Sequence, residues 1–315
     1  MITTTEAWLK QTRQACLDAC AATGNEVFRQ FGEYALKALL VDELRRYTPH
    51  SLSACLQDFW RFADDSRQDV EIRVFNPDMS KVGWRPDGTV IEVCSVEMPF
   101  LLNTLRSVLN RSGCEIQALL DLNLPLRRDR FSRIKTIPAS TDALSTDYRT
   151  LIHIELATLY DGEDLLALDA DIRNAVGMLQ KIVTAFPRMQ TLCREAGQML
   201  IENLPKGGDE AVNRMECHAF LQWMLRSHFT FLAVLHEKSH GDTEKSGLAS
   251  WSGIELDTLA GLPMPEQHKG ILFGKSLTRS PIHHDRHADV VILPMPDGST
   301  FRFVVTPDVL DADGV

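Results

Sequence analysis

Residues 89–124 read TVIEVCSVEMPFLLNTLRSVLNRSGCEIQALLDLNL, and the fold turns on them. Residues 89–96 are apolar at both parities, the pattern of a central strand covered on two faces. Pro99 follows at once, suited to a first helical turn where its missing N–H costs nothing. Leu101, Leu102, Leu105, Val108 and Leu109 then make an apolar stripe at i, i+1, i+4, i+7 and i+8. Gly113 ends that helix. From Cys114 to Leu124 the period falls to two. Ile116, Ala118, Leu120, Leu122 and Leu124 share one side; Glu115, Gln117, Asp121 and Asn123 share the other.

Outward from this strand–helix–strand core the same logic continues. Upstream, Val70-Glu71-Ile72-Arg73-Val74 alternates as a half-buried strand, closed by Asn76-Pro77-Asp78, and Pro86-Asp87-Gly88 marks a turn. Downstream, a polar loop over 125–148 carries Arg127, Arg128, Arg130 and Arg133. Such a basic loop is most simply solvated, or open to an anion. In the strand that follows, Ile152, Ile154 and Leu156 point inward and His153 and Glu155 outward. Asp161-Gly162 opens a helix striped with Leu165, Leu168, Ile172, Val176, Leu179 and Val183, and a further helix is expected after Phe186-Pro187.

The order is β-β-α-β-β-α. Three strands with one polar face predict helices on the other face only. That is a two-layer α+β sandwich of ferredoxin-like character. The expected strand order is 70–75, 89–96, 150–157, 114–124, all antiparallel. The polar face (Glu71, Arg73, Gln117, Asp121, His153, Glu155) is then either solvated or a subunit contact.

Two or three helices precede the sandwich over 5–63, interrupted at Thr48-Pro49. Beyond it, Pro205-Lys206-Gly207-Gly208 reads as a linker. A helix over 209–226, a strand from Phe229 to His236 and a hairpin around Pro296-Asp297-Gly298 make a second, smaller antiparallel α/β unit. The expected division is 1–66 helical, 67–186 sandwich, 187–208 helix and linker, and 209–315 second unit.

Composition narrows function. The chain has 315 residues, 44% apolar and 24% charged, with a net charge of -10. That balance lacks the basic face a nucleic-acid binder needs. Seven cysteines without framework spacing predict reduced thiols. Neither a signal peptide nor a membrane span is legible, so a cytoplasmic protein with no membrane partner is expected. A pyrophosphate cradle of the G-x-G-x-x-G type, a P-loop and a G-x-S-x-G elbow are all missing from these residues. Lys206, Lys238, Lys245 and Lys269 sit in polar segments. No catalytic residue and no cofactor are assigned to this chain.

Two binding candidates remain. His283 and His287, in His283-His284-Asp285-Arg286-His287, could share a helical face and hold a divalent metal; the plain alternative is a solvated polar loop. The turn Glu97-Met98-Pro99-Phe100-Leu101 precedes a helix whose first N–H groups could hold a carboxylate. Its plain alternative is a structural turn with Phe100 and Leu101 packed in the core.

Several blocks together resemble one family. Arg73-Val-Phe-Asn-Pro-Asp78, Gly83-Trp84, Thr89-Val-Ile-Glu-Val93, Glu97-Met-Pro-Phe-Leu101, Leu109-Asn-Arg-Ser-Gly113 and His153-Ile-Glu155 are similar to the large bacterial NAD-dependent glutamate dehydrogenases. So, further on, are Ser227-His-Phe-Thr-Phe-Leu232 and Ser280-Pro-Ile-His283. The blocks run from about 70 to 305 in the family's order. The resemblance implies the non-catalytic N-terminal region, with an ACT-type domain over 67–186 and a PAS-like domain over 209–315. It implies a parent enzyme that oxidises L-glutamate with NAD and a downstream catalytic domain as partner. It also implies an amino-acid effector near Glu97–Leu101 and self-association through the ACT-like sheet. The alternative is a stand-alone amino-acid sensor. The ACT turn often carries a glycine where this chain has Pro99-Phe100.

Overall fold

The computed structural model describes residues 2–138, 147–250, 266–268, 270–280, 282 and 286–307. The chain divides into two compact units, 1–174 and 175–315.

The first unit opens with helices α1 (Ile2–Ala21), α2 (Glu26–Ala38), α3 (Val41–Leu44) and α4 (Pro49–Asp65). Their starts are set locally. Asn25 Oδ1 accepts from the Phe28 N–H at 3.0 Å, and Thr48 Oγ1 accepts from the Ser51 N–H at 3.1 Å with Pro49 in the first turn. Then come β1 (Val70–Phe75), the short α5 (Met79–Val82), β2 (Val90–Val96), α6 (Leu101–Arg111), β3 (Ile116–Arg128), β4 (Ile134–Thr136) and β5 (Asp147–Leu156). Helix α7 (Gly162–Ile201) begins in this unit.

The sheet order is β1-β2-β5-β3-β4, antiparallel throughout. The expected order of four strands is thus present, with β4 added at one edge. The register sets Arg73 beside Glu92, Glu92 beside His153, and His153 beside Leu120, all on one face.

That face corrects the two-layer expectation. It is neither bare nor solvated: α1, α2 and α4 pack on it in one core with Cys94, Leu120, Leu122, Leu124, Leu126 and Leu151. Ile91, Val93, Ile152 and Ile154 on the opposite face are buried as well, together with the stripes of α6 (Leu101, Leu105, Val108, Leu109) and early α7 (Leu168, Ile172). The sheet is the middle layer of three. Arg73, Glu92, His153 and Glu155 can be covered because they bond to one another; Asp121, expected on the same face, pairs with Ile152 and lies on the opposite one.

The arginines of the 125–148 loop are likewise tied down. Arg128 donates to the carbonyls of Ala63 (2.9 Å), Asp64 (3.1 Å) and Ser132 (2.8 Å), and Arg133 pairs with Asp64 at 2.9 Å. Cations thus sit at the C-terminal end of α4, where the helix carbonyls favour them. Part of this loop, 139–146, lies outside the described residues.

Helix α7 also departs from expectation. It runs through Pro187 without a break. From Ala175 on it belongs to the second unit. Met189, Leu192, Cys193, Ala196 and Leu200 are buried there, and that apolar stripe carries the helix past the proline.

The second unit adds α8 (Asp209–Trp223) and a six-stranded antiparallel sheet: β6 (Phe229–Glu237), β7 (Thr243–Gly247), β8 (Glu266–His268), β9 (Ile271–Arg279), β10 (His287–Pro294) and β11 (Thr300–Pro307). Its order is β7-β6-β11-β10-β9-β8. The β10–β11 turn is held by Asp297, which accepts from the Ser299 N–H at 2.9 Å and its hydroxyl at 2.6 Å. Phe231, Phe301 and Phe303 centre its core. Among the described residues no helix is long and apolar enough to cross a membrane.

Candidate functional site

Between β2 and α6 the chain makes a turn that opens onto a cavity of about 680 Å³. Its wall is the run from Glu97 to Asn103, with Asp121 and Asn123 from β3 and Thr150 from β5. The sequence-chosen residues Glu97, Met98, Pro99, Phe100 and Leu101 all line it. They divide by burial: Met98 and Leu101 sink into the core, while Glu97 and Pro99 stay exposed. Of the two residues the structural-turn reading packs in the core, Leu101 is buried and Phe100 half-buried.

Phe100 occupies the helix-cap position at φ 65°, in the left-handed region that favours glycine. No side chain caps α6. Its first turn is closed instead by the Thr104 N–H donating to the Phe100 carbonyl at 2.8 Å. On the far wall Asn123 donates to Glu97 at 3.2 Å. Partial burial pushes the Asp121 carboxyl above its ordinary value, against the pull of Arg106. One side of the cavity thus carries the α6 N-terminus and Glu97, and the other carries Asp121 and Asn123.

A second polar centre lies under α4. Glu92 is wholly buried; its Oε1 meets His153 Nδ1 at 2.8 Å, and its Oε2 accepts from Arg73. Arg73 also donates to the Asp58 carboxylate at 2.9 Å. On the other edge of the imidazole, His153 Nε2 lies 3.3 Å from Glu155 Oε1 and 3.7 Å from the Cys55 sulfur. The Tyr47 hydroxyl donates to the same Glu155 oxygen. Phe59 and Trp84 pack on the imidazole at ring-centre distances of 5.4 and 5.7 Å.

Burial alone would depress the His153 pKa, but Cys55 and then the Glu155 and Glu92 carboxylates outweigh it and hold it well above its ordinary value. Burial also works against the Glu155 carboxylate, and the His153 hydrogen bond overcomes it and lowers the value. The buried Cys55 thiol is pushed up by desolvation. With His153 4%, Glu155 1% and Cys55 3% exposed, no substrate reaches these groups.

Sequence reasoning placed Arg73, His153 and Glu155 on one face but missed what covers them. The signal was in α4. Asp58 stands within the apolar run Leu52, Cys55, Leu56, Phe59, and a carboxylate in a core-facing stripe needs a buried cation.

Of the cluster's histidines, only His287 is among the described residues. His283 lies outside the described residues, and His287 Nδ1 is 2.9 Å from the Ser276 carbonyl on the neighbouring strand.

The first unit is an α+β domain with an antiparallel sheet, and residues 31–172 match the family described as glutamate dehydrogenase, ACT1 domain. The chain is 28% identical to the NAD-specific glutamate dehydrogenase of Pseudomonas aeruginosa over 287 aligned residues, covering 85% of this chain and 18% of that protein. It is 30% identical to the enzyme of the same name from Halomonas elongata over 251 residues, covering 79% and 15%. The resemblance read from the sequence holds: this chain is similar to the N-terminal, ACT-bearing region of the large NAD-dependent glutamate dehydrogenases. It spans less than a fifth of the length of these relatives.

Proposed function

We propose that this chain is a non-catalytic regulatory and assembly segment of an NAD-dependent glutamate dehydrogenase, sensing an amino acid at the Glu97–Asn103 turn. The parent reaction is the oxidative deamination of L-glutamate to 2-oxoglutarate and ammonium, with NAD bound by a downstream catalytic domain. The observation that carries the reading is the cavity at the head of α6, lined by the Glu97–Asn103 turn and by Asp121 and Asn123 of β3. The α-carboxylate of an amino acid sits at the α6 N–H groups, and its α-ammonium sits toward Asp121. The second unit, with its single antiparallel sheet, is read as PAS-like, and self-association runs through the first sheet. The alternative, a stand-alone amino-acid sensor, has the same cavity and differs only in what the chain is joined to.

The test is calorimetry and thermal unfolding of the purified chain against a panel of amino acids. One member is expected to raise the melting temperature in proportion to the logarithm of its excess over Kd. Asp121→Asn is expected to weaken it about tenfold or more, the loss of one charge-assisted contact. No heat and no shift across the panel ends the proposal.

A further inference from the structure

We infer that Cys55, His153 and Glu155 form a structural binding site for one divalent transition cation of the zinc class, clamped between α4 and β5. This stands apart from the cavity and from the proposed sensing role.

Two of the three donor pairs are already spaced as a tetrahedral centre requires, and the third needs at most a small adjustment of the side chains. Bonds of about 2.3 Å to sulfur and about 2.1 Å to nitrogen and oxygen place S and N about 3.6 Å apart, and N and O about 3.4 Å apart. Here the Cys55 sulfur is 3.7 Å from His153 Nε2, and that nitrogen is 3.3 Å from Glu155 Oε1. All three donor atoms lie within 4.8 Å of one another, and all three residues are buried. One thiolate, one imidazole and one carboxylate are a ligand set that zinc accepts and that magnesium and calcium do not.

The surroundings are those of a metal ligand shell. A ligating histidine commonly gives its other nitrogen to a carboxylate, which fixes the tautomer and aims the ring. Glu92 does this to Nδ1 at 2.8 Å, leaving Nε2 for the cation. Glu92 is itself held by Arg73, and Tyr47 holds the Glu155 oxygen in place. An ion pair between His153 and two glutamates needs no thiol. Cys55, packed with Trp84 and Val90, adds a third donor 3.7 Å from Nε2, and that thiol turns an ion-pair network into a ligand set.

Binding balances in charge. The cation enters as M²⁺, and the Cys55 thiol and the His153 Nε2–H each release a proton to solvent. The buried net charge stays the same. The fourth position is left to water.

The test uses the full 315-residue chain. Metal is stripped with chelator, and the protein is titrated with Zn²⁺ against a competing dye, then separately with Co²⁺. One equivalent of each is expected to bind. The cobalt form is expected to show a thiolate-to-metal charge-transfer band and the intense visible bands of tetrahedral Co(II). Cys55→Ser should remove the charge-transfer band, and Cys94→Ser, on the same sheet face, should leave it. Glu92→Gln should weaken Zn²⁺ about 10–100-fold. X-ray absorption of the wild-type zinc form decides the matter even if a variant fails to fold. One sulfur with nitrogen and oxygen neighbours supports the site. A shell of nitrogen and oxygen alone, sub-stoichiometric uptake, or a charge-transfer band that survives Cys55→Ser overturns it.

Discussion

Gly88 shows how much one missing methyl can decide. The backbone of the segment after β5 passes directly over it. A Cβ built there would meet the Leu156 carbonyl oxygen at 1.9 Å and the Thr158 oxygen at 2.8 Å. Both are main-chain atoms held by hydrogen bonds between Thr89 and Leu156 and between Thr89 and Thr158, so neither can swing away. Gly88→Ala is expected to cost about 3 kcal/mol, the upper end of overpacking penalties. Gly177 in α7 has nothing within 4 Å of its would-be Cβ, and Gly177→Ala should stabilise by about 0.5–1 kcal/mol. Urea midpoints of the two variants should therefore move in opposite directions. Equal movement would mean that the close approach at Gly88 does not govern stability. The sequence marked Pro86-Asp87-Gly88 as a turn, which is correct, but the crossing chain that makes glycine obligatory is a long-range contact no local pattern encodes. Phe100 is the converse case. The turn needs a left-handed residue, and here a phenylalanine accepts that geometry, so composition hid the strained position.

At the scale of elements, periodicity carried most of the fold. Strands β1, β2, β3 and β5 and helix α6 could be read because alternation and a 3.6-residue stripe are local. What lay over the charged face could not. His153 and Glu155 alternate with isoleucines whether the polar side meets water or another helix. The period reports the side of a strand, not its cover. Pro187 misled for a related reason. The ring forbids one hydrogen bond, but the apolar stripe of α7 continues beyond it, and packing of Met189, Leu192 and Leu200 outweighs the break. Pro187→Ala restores the missing donor and is expected to raise stability by about 1 kcal/mol or more. Thermal unfolding followed by far-UV circular dichroism reads this directly. A lower melting temperature would mean that the proline ring is itself required for packing.

Over the whole molecule, the candidate site was legible in part. The Glu97–Leu101 turn was read because a proline before an apolar stripe marks a helix start. The cavity's other wall, Asp121 and Asn123, needed the strand pairing of β3 with β5 to bring it into place. The buried cluster under α4 joins residues 47, 55, 92, 153 and 155, and only the folded sheet sets them side by side.

Because helices clothe the first sheet front and back, a second copy of this unit has no bare face to approach and must come to a rim. The rim along β1 is plugged at its middle. The Arg173 guanidinium donates to the Ile72 carbonyl at 2.7 Å, occupying a main-chain acceptor that an incoming strand would use. Arg173→Ala unplugs that rim. Sedimentation at matched concentration should then shift toward larger species, whereas an unchanged distribution would direct the search for the assembling edge to the opposite side of the sheet, beyond β4.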